Sequence, residues 1–573
     1  MESALVLGSS LFGLSAMAVL PSFPAVVATL TCLTLYAPIY LNRAPRGARA
    51  LPGFILLTIA GLLPRFISAE NALSTPSTGV GMLAAMSMMD AAILLVGTMI
   101  PVFIQARWSS TVGHFMLLPA VWSTIIWGVA SLSPLGRLAL PTPAAPTQVY
   151  AWLEPFFGPA SIDILAGAWA VVLAEVISLW YMSKNQPDDV LIEYADHDGE
   201  SQRGTRKPIT IVGAILIILA LPSFLASDLP LPLISDETTP ISVGCALPSH
   251  RRYSHPGRPT FNDYIAETRK LVPSTDILLW PESAVVFDSV EHRNAKLEQV
   301  KAVAQGAYVG VGFLESFREN GKDHTRNGFA LVSARSNEPD MLYFKRNLVP
   351  VAESYAMTPS TEPPALFTLP LKKPSDIPKS EWGQPPTYTR PIPLSASICL
   401  DFAAPNPFAA LESRPALLLG PAYTWDVEIG RMMFAQGAQR ARELGAAVLW
   451  CDGGENGVSG VAGDGVDKSM QVGRGSWVRT IAVPHPFSEQ QTWFGQFGHG
   501  LPLLLVWLLV LGSAAPRLPG MAGTVQRVAG TVGAVSRRAP DVARRLIQGA
   551  RERREPAPDA ERRAPDEMSH LLD

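Results

Sequence analysis

The segment Ser395–Pro405 reads SASICLDFAAP and brings a cysteine to the end of a short run of small and apolar residues. Such a run predicts a buried strand, and the proline that follows predicts a turn. A thiol at a strand-to-helix turn, beside a cation and a base, can ionise and act as a nucleophile. Cys399 is therefore a candidate nucleophile, although taken alone it is equally a small core residue.

Two other predicted strands also end in a charged residue. The stretch 276–287, DILLWPESAVVF, delivers Glu282, and burial there would raise the carboxyl pKa and suit it to general-base catalysis. The stretch 342–354, LYFKRNLVPVAES, delivers Lys345, with Glu353 eight residues later. An ammonium in that position can stabilise an oxyanion. Singly, these are ordinary surface charges; together, they predict one acyl-transfer site.

Strand and helix patterns alternate around these three segments. The predicted strands are Ile241–Leu247, Asp276–Trp280, Ala307–Phe313, Gly328–Ser333, Met341–Lys345, Ser395–Cys399, Ala416–Leu419, Ala446–Trp450 and Trp477–Val483, and the predicted helices are Phe261–Leu271, Glu291–Gln305 and Val427–Leu444. The alternation predicts an α/β sandwich with helices on the outer faces of its sheets. The Pro-rich stretch Pro359–Pro393 interrupts it and is either a lid-like insertion or a disordered loop.

The chain before this domain is apolar and poor in charge. A membrane span needs about 20 mostly apolar residues. Seven segments qualify before the domain and a weaker eighth follows it: Ser3–Leu20, Ala25–Leu41, Leu51–Ile67, Gly79–Ile104, Val112–Ser131, Ala160–Met182, Pro208–Ala226 and Phe494–Ala515. The sequence thus predicts a helical bundle over 1–227, a catalytic domain over 228–492, a closing span over 493–515 and a basic, disordered tail over 516–573.

The basic residues of the short loops predict how the chain is oriented. They follow the second, fourth and sixth spans and are frequent in the tail, whereas the loops on the opposite side contain almost no Lys or Arg. By the positive-inside rule, both termini are cytoplasmic and the catalytic domain faces the periplasm, lumen or exterior. The polar stretch Asn185–Arg206 is predicted to be a disordered loop. The segment Val535–Ile547 is either a basic amphipathic helix on anionic lipid or an ordinary solvated tail.

Three ionisable residues, Arg65, Asp90 and Glu175, fall inside predicted spans, where charge is costly. They either line a polar path or contact lipid headgroups, or they form structural ion pairs or snorkel to the interface. We favour the second interpretation.

The remaining composition restricts partners and cofactors. A net charge of −3 gives no indication of a nucleic-acid partner. The four cysteines have no metal-ligand spacing and argue against a disulfide scaffold or a zinc site. A Cys245–Cys451 disulfide is conceivable in an oxidising compartment. No cofactor is predicted, and nothing in the sequence sets an oligomeric state.

The order Glu, Lys, Cys, each closing an apolar strand, resembles the carbon–nitrogen hydrolase (nitrilase) superfamily. The segments WPES, YFKRNLVPVAE and ICLDF look like its motifs. Seven spans, a nitrilase-like domain and one closing span resemble the apolipoprotein N-acyltransferase branch, up to about Ala515. Asn327 in HTRNGFALV, the helix end QRARELG and the stretch VLWCDGGENGVSGVAGDG also look like that branch.

The resemblance implies an α-β-β-α sandwich and assigns roles to individual residues. Glu282 resembles the general base, Lys345 the oxyanion partner and Cys399 the acylated nucleophile. Glu353 resembles a second essential acid, and Asp401 stands where the family has a glutamate. A backbone N–H near Leu400 would complete the oxyanion site.

Several motifs depart from the family pattern around this site. The chain has LVPVAES for LVPFGE, CLDF for Cys-Tyr-Glu, and ISVGCALPS without the usual Gln-Gly-Asn. DGGENG replaces a shorter Asn-rich turn, and the Pro-rich stretch is long. No catalytic group is lost, so the departures concern the acyl acceptor more than the chemistry.

Three functions are compatible with these residues. The first is an acyltransferase that moves a fatty-acyl group from membrane phospholipid through a Cys399 thioester to an amine, such as the N-terminus of a lipoprotein. The second is a membrane-tethered amidase or nitrilase in which water takes the acyl group. The third is a non-enzymatic membrane scaffold that keeps the fold. We favour the first, because a soluble amidase needs no membrane bundle and the intact Glu282, Lys345 and Cys399 argue against the third.

Overall fold

The computed structural model describes residues 21–514, apart from 43–45, 74, 106–110, 139, 144–147, 185–197, 226–229, 234, 249–257, 320, 374–381 and 383–386. The first predicted span, Ser3–Leu20, and the basic tail with its Val535–Ile547 segment lie outside the described residues. So does most of the predicted polar loop. The prediction is wrong for the last part of this loop, 198–206, which belongs to a helix from Asp198 to Leu225.

The N-terminal part of the chain is a bundle of apolar helices. They are α1 (Phe23–Asn42), α2 (Arg46–Leu62), α3 (Phe66–Glu70), α4 (Pro76–Gln105), α5 (Thr111–Leu132), α6 (Glu154–Lys184) and α7 (Asp198–Leu225), with short 3₁₀ turns at Leu63–Arg65 and Gln148–Leu153. Their interior is filled by large and small apolar side chains together: Trp122 is fully buried, and a Cβ on Gly167 would lie 2.9 Å from the Pro119 backbone. Small residues of this kind let helices pack closely within a membrane.

Five helical segments in the described part of the chain are long and apolar enough to cross a membrane. They are Ala50–Glu70, Pro76–Ile104, Val112–Leu132, Val149–Tyr181 and Lys207–Phe224. Each overlaps a span predicted from the sequence. The second and eighth predicted spans correspond to shorter apolar helices, Phe23–Ala37 and Gly500–Ser513. Five of the eight predicted spans thus correspond to helices of full length in the described residues, and the count of about eight is not confirmed.

The ionisable residues of the bundle lie next to charged or titratable partners. Arg65 Nη1 lies 3.9 Å from Asp90 Oδ2, and Glu175 Oε1 lies 2.8 Å from His114 Nε2. The ion-pair interpretation is thus confirmed for Arg65 and Asp90, whereas Glu175 has a histidine as its partner.

The rest of the described chain is a sandwich of two β-sheets. The strands are β1 (Thr238–Cys245), β2 (Ile277–Leu279), β3 (Val285–Phe287), β4 (Tyr308–Glu319), β5 (Lys322–Ser333), β6 (Met341–Phe344), β7 (Leu366–Lys372), β8 (Thr389–Ala396), β9 (Leu417–Ala422), β10 (Ala447–Asp452), β11 (Val458–Gly463), β12 (Ser469–Val472) and β13 (Trp477–Pro484). The first sheet has the order β13-β1-β2-β4-β5-β6, with β3 paired to β4, and the second has the order β12-β11-β10-β9-β8-β7. Buried side chains of both sheets form one core between them.

Helices cover the outer faces of both sheets. They are α8 (Phe261–Leu271) and α9 (Val290–Ala304) on the first sheet and α10 (Val427–Leu444) on the second, and the chain continues into α11 (Trp493–Phe497) and α12 (Gly500–Ala514). Local signals set the ends of α10: the Asp426 side chain accepts from Glu428 N–H, and Gly445 takes the left-handed conformation at φ +61°. The predicted α-β-β-α layering is confirmed.

A disulfide joins the two sheets. Cys245 of β1 and Cys451 of β10 are bonded, with their Cα atoms 5.4 Å apart. The pairing that the sequence left open is therefore formed in the structure. Cys32 and Cys399 are free thiols.

Of the Pro-rich stretch Pro359–Pro393, the structure describes 359–373, 382 and 387–393, and this part contains an edge strand where a lid-like insertion or a disordered loop was expected; the rest lies outside the described residues. Its segment Leu366–Lys372 pairs antiparallel with β8, and Leu369 and Leu371 are buried. Prolines are tolerated there because an edge strand leaves some N–H groups unpaired. Trp382 is buried in the same stretch, with the Arg390 guanidinium 4.4 Å from its ring centroid.

Candidate active site

Three strand ends meet on one side of the sandwich. Glu282 lies between β2 and β3, Lys345 directly follows β6, and Cys399 lies three residues after β8. Strands β2, β3 and β6 belong to the first sheet and β8 to the second, so the site forms where the sheets face each other. The Lys345 ammonium lies 2.7 Å from Glu282 Oε1 and 2.8 Å from Glu353 Oε2. The structure thus brings the predicted base, cation and second acid together.

Burial controls the protonation of the carboxyl group. Glu282 is 3% exposed, and this burial raises its pKa above the ordinary glutamate value. The Lys345 charge opposes the increase, whereas the nearby Glu353 charge adds to it. The Asn327 amide donates to Glu282 Oε1 at 2.7 Å and fixes its direction. A carboxylate held in this way is a suitable general base.

The lysine remains a cation although it is fully buried. Burial alone would lower the pKa of Lys345, but the neighbouring Glu282, Cys399 and Glu353 raise it above the ordinary lysine value. Glu353 also accepts from the Val349 N–H at 2.8 Å, which anchors the loop that carries it. Lys345 can therefore stabilise negative charge without giving up its proton.

The cysteine rests as a thiol. Burial and then the Glu282 charge raise the pKa of Cys399 well above its ordinary value, against the opposing effects of Lys345 and the Tyr423 backbone. A base that can accept the thiol proton is therefore needed before the sulfur can act as a nucleophile, and Glu282 is the carboxyl group next to it. The backbone of Cys399 has φ +42°, a conformation rarely adopted outside glycine, which is a feature that clusters at active sites.

Asp401 lies in the turn that carries the cysteine, the 3₁₀ turn Cys399–Ala403, hereafter the nucleophile turn. Its carboxylate is fully buried and accepts from Tyr343 Oη at 2.8 Å, from Asn347 N–H at 2.7 Å and from Asn347 Nδ2 at 2.8 Å. It therefore ties the nucleophile turn to the segment after Lys345. Leu400 is buried in the same turn, directly after the cysteine.

An apolar cavity of about 430 Å³ opens at the carboxyl groups of Glu282 and Glu353. Glu282, Glu353 and Tyr423 line it on the sandwich side, and α3, α4 and their connection contribute Ala69, Leu73, Met82, Leu83 and Met86. The Trp425 indole N–H donates to the Ser68 carbonyl at 3.0 Å and joins the two walls. The cavity therefore connects the candidate site with the apolar helices.

Some contacts of the site were not found from the sequence. Tyr343 had a usable signal, because it precedes Lys345 by two residues and shares its face of the strand. Asn347 and Tyr423 had none, since their roles arise from chain segments that meet only in the fold. Within the described residues, no group of three or more His, Cys, Asp or Glu side chains is placed to hold a metal ion.

Comparison with known proteins gives similarity only to solved structures. No family model matches the chain, and no curated protein matches it. Similar structures include a carbon–nitrogen hydrolase from Helicobacter pylori, with 14% identity, a TM-score of 0.30 and coverage of 42% of this chain and 89% of the other. A CN-hydrolase superfamily protein from Xanthomonas campestris has 14% identity, a TM-score of 0.30 and coverage of 43% and 92%. A branch 10 member of the nitrilase superfamily from Saccharomyces cerevisiae has 12% identity, a TM-score of 0.29 and coverage of 44% and 93%.

Proposed function

We propose that this protein is a membrane-bound N-acyltransferase that moves a fatty-acyl group from phospholipid, through a Cys399 thioester, to an amine acceptor such as a lipoprotein N-terminus. The observation that carries this proposal is the apolar cavity that runs from Glu282 and Glu353 to the bundle helices. Its lining suits an acyl chain, and its position suits a donor that arrives from a bilayer.

The geometry supports a two-step reaction. Glu282 takes the thiol proton as Cys399 Sγ attacks the ester carbonyl, which forms the C–S bond. Lys345 stabilises the oxyanion, together with the Leu400 N–H, since the first amides of a helical turn lack partners within it. The C–O bond then breaks, and Glu282 returns the proton to the leaving alcohol. In the second step the amine attacks the thioester carbonyl and Glu282 accepts its proton, so that the C–N bond forms. The C–S bond then breaks, and Glu282 returns the proton to the departing sulfur, which regenerates the thiol.

The disulfide supports a location of the catalytic domain outside the cytoplasm. Disulfides form and persist in oxidising compartments and are rare in the cytosol. Cys245 and Cys451 are both fully buried at the centre of the sandwich. The bond therefore agrees with the orientation inferred from the basic loops, in which this domain faces the periplasm, lumen or exterior.

The test is intact-protein mass spectrometry of protein extracted from membranes without an acceptor. Wild-type protein should carry a fatty-acyl mass on Cys399 that hydroxylamine removes. The Cys399→Ser, Lys345→Ala and Glu282→Gln variants should lack it, and the exposed-site variant Glu362→Gln should keep it. An adduct that decays in water without any amine would instead identify a hydrolase. Failure to trap any adduct would refute the thioester.

A further inference from the structure

Backbone carbonyl groups at the end of the nucleophile turn and just after it accept hydrogen bonds from distant parts of the chain. The Ala403 carbonyl accepts from the Arg137 N–H at 3.1 Å. The Pro405 carbonyl accepts from Arg440 Nη1 at 2.8 Å and lies 2.9 Å from His499 Nε2. The Pro407 carbonyl accepts from Arg346 Nη2 at 2.7 Å. Every second carbonyl of this segment therefore has a donor from another part of the chain.

Two of these donors belong to the membrane elements and not to the sandwich. Arg137 lies in the connection after α5, and His499 directly precedes α12. A carbonyl oxygen only accepts hydrogen bonds, so His499 Nε2 must carry the proton. The nucleophile turn is thus held both by a loop of the helical bundle and by the segment that precedes α12.

The contact at Ala403 leaves no room for a side chain at position 136. Gly136 has φ +55°, and a Cβ added there would lie 2.0 Å from the Ala403 carbonyl oxygen. The loop is anchored on its other side by the buried Arg137 guanidinium, which lies 2.9 Å from Asp163 Oδ2 on α6 and donates to Thr142 Oγ1 at 2.7 Å. The long helix α6 therefore fixes the position of the loop that carries Gly136 and Arg137. That loop in its place fixes the position of the nucleophile turn.

We infer that Gly136, Arg137 and His499 are positioning residues for Cys399, and that the membrane bundle is a structural part of the active site and not only an anchor. The thiol takes its reactivity from its alignment with Glu282 and Lys345. A turn that shifts by about 1 Å would lose much of that alignment, and such shifts cost up to about 100-fold in rate. This inference rests on the proposed function, because it assigns a role in that reaction.

The first test compares two glycine variants of the full-length protein in detergent. Gly136→Ala places its Cβ against Ala403, whereas Gly128→Ala, near the end of α5, meets nothing within 4 Å. The readout is the rate of Cys399 alkylation by iodoacetamide, followed on its own peptide by mass spectrometry. Gly136→Ala should slow alkylation, and acylation at saturating donor, by about 10- to 100-fold with an unchanged donor KM. Equal rates in the two variants would overturn the inference.

A second pair of variants covers the case in which Gly136→Ala does not fold. His499→Phe keeps the ring contact with Phe494, whose centroid lies 5.1 Å away, but removes the N–H donor. His499→Gln keeps an N–H donor. The phenylalanine variant should lose about 3- to 10-fold in alkylation rate, and glutamine should restore most of it. Equal rates in both would refute the role of His499.

Alkylation needs no substrate, so the two proposals can fail separately. A Gly136-dependent alkylation rate without any acyl adduct would reject acyl transfer and keep the positioning role. An acyl adduct on Cys399, together with an alkylation rate that does not change in the Gly136 and His499 variants, would keep acyl transfer and reject the positioning role.

Discussion

Replacing Glu353 by glutamine removes one negative charge from the site and keeps the shape of the side chain. In the structure both oxygens of Glu353 lie against the Lys345 ammonium, at 2.9 and 2.8 Å, and one also accepts from Val349 N–H. A hydrogen bond to a charged group contributes about 1.5–3 kcal/mol. If this contact aims the ammonium at the oxyanion, its loss should lower kcat/KM by about 10- to 150-fold. The glutamine oxygen can still hold the loop, so the fold should survive.

The same substitution should change the pH dependence in a defined direction. The Glu353 charge raises the pKa of Glu282, so its removal should lower that pKa and move the acid limb of the kcat/KM profile to lower pH. The assay is acyl transfer to a model amine over a pH series, with the exposed Glu362→Gln as the matched control. A Glu353→Gln enzyme within threefold of wild type, with an unmoved acid limb, would place Glu353 outside the catalytic machinery.

Three further predictions concern the wild-type site, the disulfide and the topology. Because burial raises the pKa of Glu282, kcat/KM should fall as the pH decreases through a value above the ordinary glutamate pKa of about 4.3; a limb at that ordinary value would show that Glu282 is not the base. The double variant Cys245→Ala, Cys451→Ala opens a loop with a separation of 206 residues and should destabilise the protein by about 2–5 kcal/mol, seen as a lower thermal midpoint; an unchanged midpoint would contradict this. A membrane-impermeant protease should reach the catalytic domain from outside and the basic tail only after permeabilisation, and cleavage of both from the same side would exclude the closing span.

Local sequence signals were sufficient to predict several elements. The helices Phe261–Leu271 and Val427–Leu444 have the predicted bounds, because capping residues and helical periodicity act within a few residues. The strands before Glu282 and Lys345 were also predicted, since each is an apolar run that ends near a charged group. The strand before Cys399 was placed wrongly: it runs over Thr389–Ala396 and not over Ser395–Cys399, and the cysteine lies in the turn after it. Strands β3, β7, β11 and β12 were missed. β3 and β12 are short, β7 is partly exposed, and β11 is a buried run of small residues with two glycines, so that pairing with a neighbour defines each of them.

The sequence by itself determined the layered fold class, the apolar helices and the three strand ends that present Glu282, Lys345 and Cys399. Only the tertiary structure decided which groups surround them. Tyr343 and Asn347 donate hydrogen bonds to Asp401. Cys245 of one sheet is bonded to Cys451 of the other, and Gly136 packs against Ala403. The reason is physical: periodicity and capping are set by interactions a few residues apart, whereas these contacts depend on how distant layers pack. Burial, and with it the raised pKa of the Cys399 thiol, appears only when that packing is complete.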